Sequence, residues 1–173
     1  MKKLQNNYAF IDGTNLYLAI RDYLGWKLDN KKFRAYLSEK YGVEKAYYFI
    51  GHVEGNSDLY ASLQSAGYVL IFKPTTEDKV GAIKGNCDAE IVLQTMIDIN
   101  KYDQAVLVTG DGDFYCLVKY LKKIGKLKCV LAPTTNNCSL LLRQAAQLQI
   151  AFMDNLRGKL EYKRKDPHKD GTL

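Results

Sequence analysis

Four aspartates stand at positions of this sequence where they could share a metal ion. Asp12 ends an apolar run near the start of the chain, and Asp111 and Asp113 follow a second apolar run. Asp88 begins a segment whose apolar residues have helical spacing. Carboxylates in one cleft repel each other, so proteins keep them together mainly to hold hard cations, which prefer oxygen ligands. Mg²⁺ or Mn²⁺ fits such a set.

An ion held in this way suits the hydrolysis of phosphodiester bonds. Two divalent ions about 3.5 to 4 Å apart can activate a water molecule and stabilise the leaving oxygen. Gly110 and Gly112 flank Asp111 and allow a tight turn that presents Asp111 and Asp113 together. Taken singly, an Asp-Gly pair after an apolar run is more often a turn, and Asp113 more often a helix cap. Taken jointly, the aspartates favour a metal site.

The rest of the sequence predicts the elements that position these aspartates. Short apolar or β-branched runs alternate with segments of helical period, as in parallel βαβ units. We expect strands over residues 8–11, 45–50, 68–72, 105–108, 127–131 and 150–152. We expect helices over residues 14–23, 31–41, 57–66, 87–100, 114–124 and 139–147, and a loop over residues 73–86.

This alternation predicts an α/β fold with a mostly parallel central sheet. In the usual doubly wound order, the first and fourth strands are neighbours where the strand order reverses, and ligands bind beyond their carboxyl ends. Asp12 and Asp111 follow those two strands. We therefore expect them to face each other at one edge of the sheet.

The composition is that of one domain with an uneven distribution of charge. The chain has 173 residues, 47% of them hydrophobic, and a formal net charge of +6. Half of the basic excess lies in residues 157–173, which we expect to be a flexible basic tail after a domain of residues 1–156. There is no apolar run of about 18 residues, and Asn6, Asn7 and Asp12 interrupt the start where a signal peptide would be apolar. We expect a cytoplasmic protein with no membrane partner.

Three segments carry the acidic residues in a recognisable context: FIDGTNL at residues 10–16, KGNCD at residues 84–88 and TGDGDF at residues 109–114. They resemble the motifs of the NYN domain, in the LabA-like branch of the PIN-like nucleases, and the resemblance covers about residues 6–155. It implies a PIN-like, Rossmann-like three-layer sandwich. It also implies a metal-dependent ribonuclease that uses Mg²⁺ or Mn²⁺.

The same resemblance implies roles for single residues. The catalytic and metal-binding acidic cluster would be Asp12, Asp88, Asp111 and Asp113. Asn15 would contact the substrate or a carboxylate, Thr109 would bond a ligand water, and Lys84 would meet a phosphate.

One position departs from the family pattern. Many relatives carry a further Asp about six residues after Asp88, where this chain has Gln94. The neutral amide removes a charge and favours an alternative function, a weakly active or inactive module that binds nucleic acid or a protein. A haloacid-dehalogenase-like phosphatase is rejected because Phe10 stands where that family needs a nucleophilic aspartate. The G-x-x-x-x-G-K-[ST] motif of P-loop nucleotide hydrolases does not occur.

The leading hypothesis is therefore a metal-dependent endoribonuclease that cuts single-stranded RNA and leaves a 5′-phosphate. Tyr17 and Tyr115 are candidates for stacking on unpaired bases. The lysines of residues 119–128 form either a phosphate track or a solvated helix face. The sequence leaves the oligomeric state open, a homodimer included.

Overall fold

The computed structural model describes residues 5–74, 76–77, 83–84 and 86–164. The strands are β1 (Asn7–Asp12), β2 (Val43–Gly51), β3 (Tyr68–Lys73), β4 (Thr76–Glu77), β5 (Ile83–Lys84), β6 (Ala105–Val108), β7 (Leu127–Ala132) and β8 (Ile150–Phe152). The α-helices are α1 (Gly13–Ala19), α2 (Asn30–Tyr41), α3 (Ser57–Ser65), α4 (Asp88–Ile97), α5 (Tyr115–Lys123), α6 (Leu140–Ala146) and α7 (Arg157–Leu160).

Six of these strands form one parallel sheet in the order β3-β2-β1-β6-β7-β8. The chain moves outward through β2 and β3 on one side of β1, and through β7 and β8 on the other side of β6. β1 and β6 pair directly, with Ile11 opposite Val108. The predicted α/β fold and the predicted pairing of these two strands are confirmed, and their carboxyl ends lie side by side.

Side chains alternate between the two faces of the sheet and build two cores. Tyr8 and Phe10 of β1 pack with residues of α4, α5 and α6, whereas Ala9 and Ile11 pack with residues of α1, α2 and α3. The result is the expected three-layer sandwich. Among the helices in the described ranges, none is long and apolar enough to cross a membrane.

The structure corrects the predicted elements in two places near the site. Residues 73–86, predicted to be a loop, include the last residue of β3 and the antiparallel pair of β4 and β5. Strands of two residues are too short to show an alternating pattern. The first helix is α-helical only to Ala19 and continues as a π-helical turn over Ile20–Leu24, which ends at Gly25 with a φ of 69°.

The predicted boundary at residue 156 does not coincide with the end of packing. Leu160 of α7 is 1% exposed and belongs to the same core as α1 and α2. Leu28 pairs with Glu161, and the backbone N–H of Tyr162 donates to the carbonyl of Lys27. Residues 157–162 are therefore part of the folded domain, while the predicted tail beyond residue 164 lies outside the described residues.

Candidate metal centre

A cleft of about 480 Å³ opens at the edge of the sheet where β1 and β6 end. Asp12, Asp88 and Asp111 line it, together with Asn15 and the end of β2 at Ile50 and Gly51. This edge is where open α/β sheets bind their ligands, because the loops after the two central strands diverge there. Three of the four predicted aspartates thus share one cleft.

Asp88, Asp111 and Asp113 form the tightest group of carboxylates in this region. One carboxylate oxygen from each of the three lies within 4.8 Å of the others. Opposite ligands in an octahedral Mg²⁺ site are separated by about 4.2 Å, twice the metal–oxygen distance. Small side-chain movements would therefore let these oxygens coordinate one ion, and the donor set of three carboxylates fits Mg²⁺ or Mn²⁺.

Asp12 differs from this group in being buried. Its side chain accepts hydrogen bonds from the backbone N–H of Asn15 at 3.0 Å and from the hydroxyl of Thr109 at 3.4 Å, and the residue is 8% exposed. Burial raises the pKa of Asp12 to about 6, and the carboxylates of Asp88 and Asp111 act in the same direction. The predicted four-aspartate cluster is thus divided into a close group of three and a buried fourth member. The role of Asp12 as a metal ligand stays a prediction.

Asp12 is fixed in place by the start of α1. Its carboxylate caps the helix by accepting from the N–H of Asn15. The next residue, Gly13, lies so close to β2 that a Cβ would sit 2.3 Å from the Tyr48 ring and 2.6 Å from the Phe49 carbonyl oxygen. Only glycine allows α1 to begin against β2 in this way, which directs Asp12 towards the cleft.

Asn15 and Thr109 tie the loop after β1 to the loop after β6. The side-chain oxygen of Asn15 accepts from the N–H of Gly110 at 2.9 Å. The hydroxyl of Thr109 donates to Asp12 and accepts from the N–H of Asp111 at 3.1 Å. The observed contacts of both side chains position the aspartates, while their predicted contacts to substrate and to a ligand water stay predictions.

Asp111 and Asp113 are presented by a 3-10 turn over Gly112–Phe114. The carboxylate of Asp111 accepts from the N–H of Asp113 at 3.0 Å, which caps this turn. A Cβ on Gly112 would lie 2.4 Å from the hydroxyl oxygen of Ser139, so the turn packs closely on the chain before α6. The motif is therefore both a capped turn and a candidate metal site, because the hydrogen bond that caps the turn also holds the carboxylates of Asp111 and Asp113 close together.

Asp88 is held at the start of α4 by Asn86. The Asn86 amide donates to the Asp88 carboxylate at 2.8 Å, and its oxygen accepts from the Asp88 N–H at 2.9 Å. Burial raises the pKa of Asp88. The carboxylates of Asp111 and Asp113 raise this pKa further, whereas Asn86 and Lys73 lower it. The cluster therefore carries more negative charge than its surroundings neutralise, and a bound cation would relieve that repulsion.

Lys73 is a residue of this region that the sequence analysis missed. It is the last residue of β3, its ammonium group donates to the carbonyl of Asn86, and it lies 3.4 Å from the Glu90 carboxylate. Its position at the carboxyl end of a parallel strand was the available signal, because such ends meet at one edge. The predicted loop assignment of residue 73 concealed it.

The remaining predicted residues have different outcomes. Lys84 lies in β5, and its side chain falls outside the described part of the structure, so its contact with a phosphate stays a prediction. Tyr17 and Tyr115 are 60% and 39% exposed, as a stacking role requires.

The side chain of Gln94 contacts Asp98 at the end of α4. Its amide donates at 2.9 Å to the carboxylate of Asp98, which also accepts from the Tyr47 hydroxyl at 2.6 Å and the Lys101 ammonium at 2.7 Å. Six residues along a helix separate Gln94 from Asp88 by about 9 Å of rise. The neutral residue at position 94 is thus explained by Asp98, since an aspartate there would face a buried carboxylate.

Comparison with known proteins identifies the family. Residues 8–154 match the NYN domain. The chain belongs to the NYN domain family. This NYN domain protein is 29% identical over 123 residues to Low amplitude and bright protein LabA of Synechococcus elongatus. The aligned region covers 65% of this chain and 66% of that protein, so the chain spans about two thirds of the relative's length.

A solved structure shares the fold of this NYN domain. The crystal structure of a protein of unknown function from Vibrio parahaemolyticus matches it with a TM-score of 0.76 and 22% identity, over 92% of this chain and 99% of the other. At that identity the likeness concerns the fold alone. The family assignment is consistent with a PIN-like fold and suggests a PIN-like nuclease, a class that generally uses divalent metals.

Proposed function

We propose that this NYN domain is a metal-dependent endoribonuclease that hydrolyses phosphodiester bonds of single-stranded RNA. The observation that carries the proposal is the group of Asp88, Asp111 and Asp113, with carboxylate oxygens within 4.8 Å of one another at the point of strand reversal. These three residues would hold Mg²⁺ or Mn²⁺, with Asp12 behind them. When bound, the ion supplies a water of lowered pKa and neutralises charge on the phosphate.

The residues of the chain supply the geometry for this reaction. Asp88 and Asp111 line the cleft and Asp113 is exposed, so an RNA phosphate can approach the group from the cleft. Thr109 and Asn15 keep the two loops in register by hydrogen bonds of 2.9 to 3.4 Å. Asp12 is ionised more readily when a cation is near, because an opposite charge lowers the pKa of a buried carboxyl group. Hydrolysis would leave a 5′-phosphate.

The alternative function is a binding module without efficient catalysis. It depended on Gln94 as a missing acid of the metal site, and the amide of Gln94 instead serves Asp98. A protein that binds RNA but never cuts it with Mg²⁺ or Mn²⁺ would restore this alternative. A cytoplasmic location stays a prediction.

The test is cleavage of end-labelled single-stranded RNA by the purified chain with Mn²⁺ or Mg²⁺. We expect chelation to abolish cleavage, and Asp111→Asn to lower its rate about 1,000-fold, which corresponds to about 4 kcal/mol of lost transition-state stabilisation. Asp103→Asn is the matched control. Asp103 precedes β6, at the opposite edge of the sheet, and accepts a hydrogen bond from the N–H of Asn6. Unchanged cleavage by the Asp111→Asn protein would reject the proposed site.

A further inference from the structure

A second groove runs along α1 beside the acidic cleft, and we call it the α1 groove. Its volume is about 640 Å³, within the range of sites that bind small organic molecules. Thr14, Leu18, Ile50 and Asn56 line both the α1 groove and the acidic cleft. The two cavities are therefore neighbours that share a wall, and a strand that reaches the aspartates can continue across this wall into the groove.

The α1 groove has an apolar and aromatic surface. Leu16, Ile20, Trp26 and Tyr48 are at most 8% exposed and form its floor. Tyr17 stands on its rim with 60% of its surface exposed, so a face of the phenol ring is available to a ligand. Flat bases of single-stranded nucleic acids stack on such rings, and stacking tolerates any base because every base has a π-face.

The charge of the α1 groove is opposite to that of the acidic cleft. Arg21 and Lys27 line the groove, and no aspartate or glutamate is among the residues that line it. Arg21 lies over the Tyr17 ring at 5.3 Å and also pairs with Asp22 at 2.5 Å, so Asp22 offsets part of its charge. Lys27 holds its ammonium group 4.9 Å from the ring of Tyr162, a contact that leaves its charge unneutralised.

The basic segment that follows extends this charge. Tyr162, which lies under Lys27, is followed directly by Lys163 and Arg164. Acids at one end and bases at the other match a strand whose scissile phosphate meets a metal ion and whose neighbouring phosphates meet cations. The lysines of α5 lack this arrangement, because none of them lines either cavity.

We propose that the α1 groove binds the unpaired nucleotides of the RNA strand next to the scissile phosphate. A base stacks on Tyr17 above the apolar floor, and Lys27 contacts a phosphate. This inference rests on the proposed ribonuclease function, and it names the part of the substrate that the aspartates do not hold.

Tyr17 is tested by RNA binding in the absence of cleavage. The full chain is titrated against fluorescein-labelled oligouridine in chelator, and the dissociation constant is read from fluorescence anisotropy. We expect Tyr17→Ala to weaken binding about 10-fold and Tyr17→Phe to keep wild-type affinity, because the ring is what stacks. Tyr120→Ala is the matched control, since Tyr120 is 45% exposed on α5 and outside the groove. Equal affinity of Tyr17→Ala and wild type would overturn the proposal.

A substrate variant separates base stacking from a general effect of the substitution. An oligonucleotide with abasic positions should bind wild type and Tyr17→Ala with the same, weaker affinity, because it has no base to stack. Wild-type protein that binds the abasic strand as tightly as oligouridine would show that no base occupies the groove.

Lys27 is tested by the salt dependence of the same titration. Each phosphate contact contributes about 0.7 to the slope of log affinity against log salt concentration for a single strand. We expect Lys27→Ala to reduce this slope by about 0.7 and Lys119→Ala, on α5, to leave it unchanged. The reverse result would assign the phosphate track to α5 and overturn the α1 groove.

These titrations can fail separately from the nuclease proposal. A chain that shows the expected binding differences but never cleaves RNA keeps the α1 groove and rejects the nuclease. A chain that cleaves RNA while Tyr17→Ala binds like wild type keeps the nuclease and rejects the groove. Wild-type protein without measurable RNA binding rejects the groove.

Discussion

Asp12 and Asp98 are two aspartates removed from solvent, at 8% and 1% exposure, and their environments have opposite effects. Burial tends to raise the pKa of Asp98, but hydrogen bonds from Lys101, Tyr47 and Gln94 outweigh it, so the pKa is lowered. Asp12 has weaker partners and faces two further carboxylates, and its pKa rises to about 6. Both residues lie near an end of a helix, so the direction of the pKa shift is set by the hydrogen-bond partners and neighbouring charges of each carboxylate.

The difference separates a carboxylate with a structural role, Asp98, from one with a proposed functional role, Asp12. The ionised carboxylate of Asp98 accepts hydrogen bonds from three side chains, and it stabilises the contact between α4 and β2. Asp12 has no cationic partner among the described residues and lies in a cleft that can admit a cation. Perturbed groups with unsatisfied charge concentrate at functional sites. The comparison therefore supports the proposed role of Asp12, at the start of α1, and gives Asp98, at the end of α4, a role in stability.

Removing the charge of Asp98 should have the largest effect on stability. We expect Asp98→Asn to lower the free energy of unfolding by about 3 kcal/mol, because the amide cannot accept all three donors and one of them is left unpaired. Urea denaturation followed by circular dichroism measures this. The folded fraction should still cleave RNA at the wild-type rate. A stable Asp98→Asn protein that has lost cleavage would reverse the assignment of the two carboxylates.

Asp12→Asn should have the opposite sign and depend on pH. The folded pKa of Asp12 is about 6 and exceeds the unfolded value of 3.8, so its contribution to the free energy of unfolding decreases as the pH rises between these values. We expect Asp12→Asn to stabilise the metal-free protein by about 2 kcal/mol at pH 8 and by almost nothing at pH 4. Its cleavage activity should fall sharply.

The control for this pH dependence is Asp103→Asn, which should shift stability little at either pH. Parallel stability curves for wild type and Asp12→Asn between pH 4 and pH 8 would mean that Asp12 carries no raised pKa in the folded chain.

Gln94→Asp should have the smallest effect. It removes a donor to Asp98 and adds a second carboxylate beside it, so we expect a loss of about 1 kcal/mol and no gain in cleavage. Gln64→Asp is the matched control, because Gln64 is exposed and also lies near the carboxyl end of its helix, α3. Faster RNA cleavage by Gln94→Asp would show that position 94 reaches the metal and that Gln94 is a missing ligand after all.

The sheet could be predicted from the sequence because its strands are continuous apolar runs. Residues 105–108 and 150–152 form strands with the predicted bounds, and the pairing of β1 with β6 follows from the usual order of such folds. The same reasoning places Asp12 and Asp111 at one edge. This placement depends only on the order of the strands in the sheet, and short apolar segments of the sequence are enough to predict that order.

The division of labour among the polar residues could not be predicted in the same way. Whether Asp12 is buried depends on how α1 packs on Tyr48, and whether Gln94 faces the cleft depends on Asp98, four residues further along α4. The first is a contact between two elements, and the second depends on the donors that Tyr47 of β2 and Lys101 supply to Asp98. A single sequence gives the residue type at each position, but it does not show which carboxylate accepts hydrogen bonds from which donors.

The hydrogen bonds that join the loop after β1 to the loop after β6 have a consequence for biosynthesis. Thr109 and Asp12 are 97 residues apart in the chain, and Gly110 and Asn15 are 95 apart. Contacts of such long range form late, because a large loop must close first. Translation at about 5 to 20 residues per second separates the synthesis of Asp12 from that of Asp111 by several seconds. A nascent chain therefore has no assembled acidic cleft until the second half of the sheet joins the first.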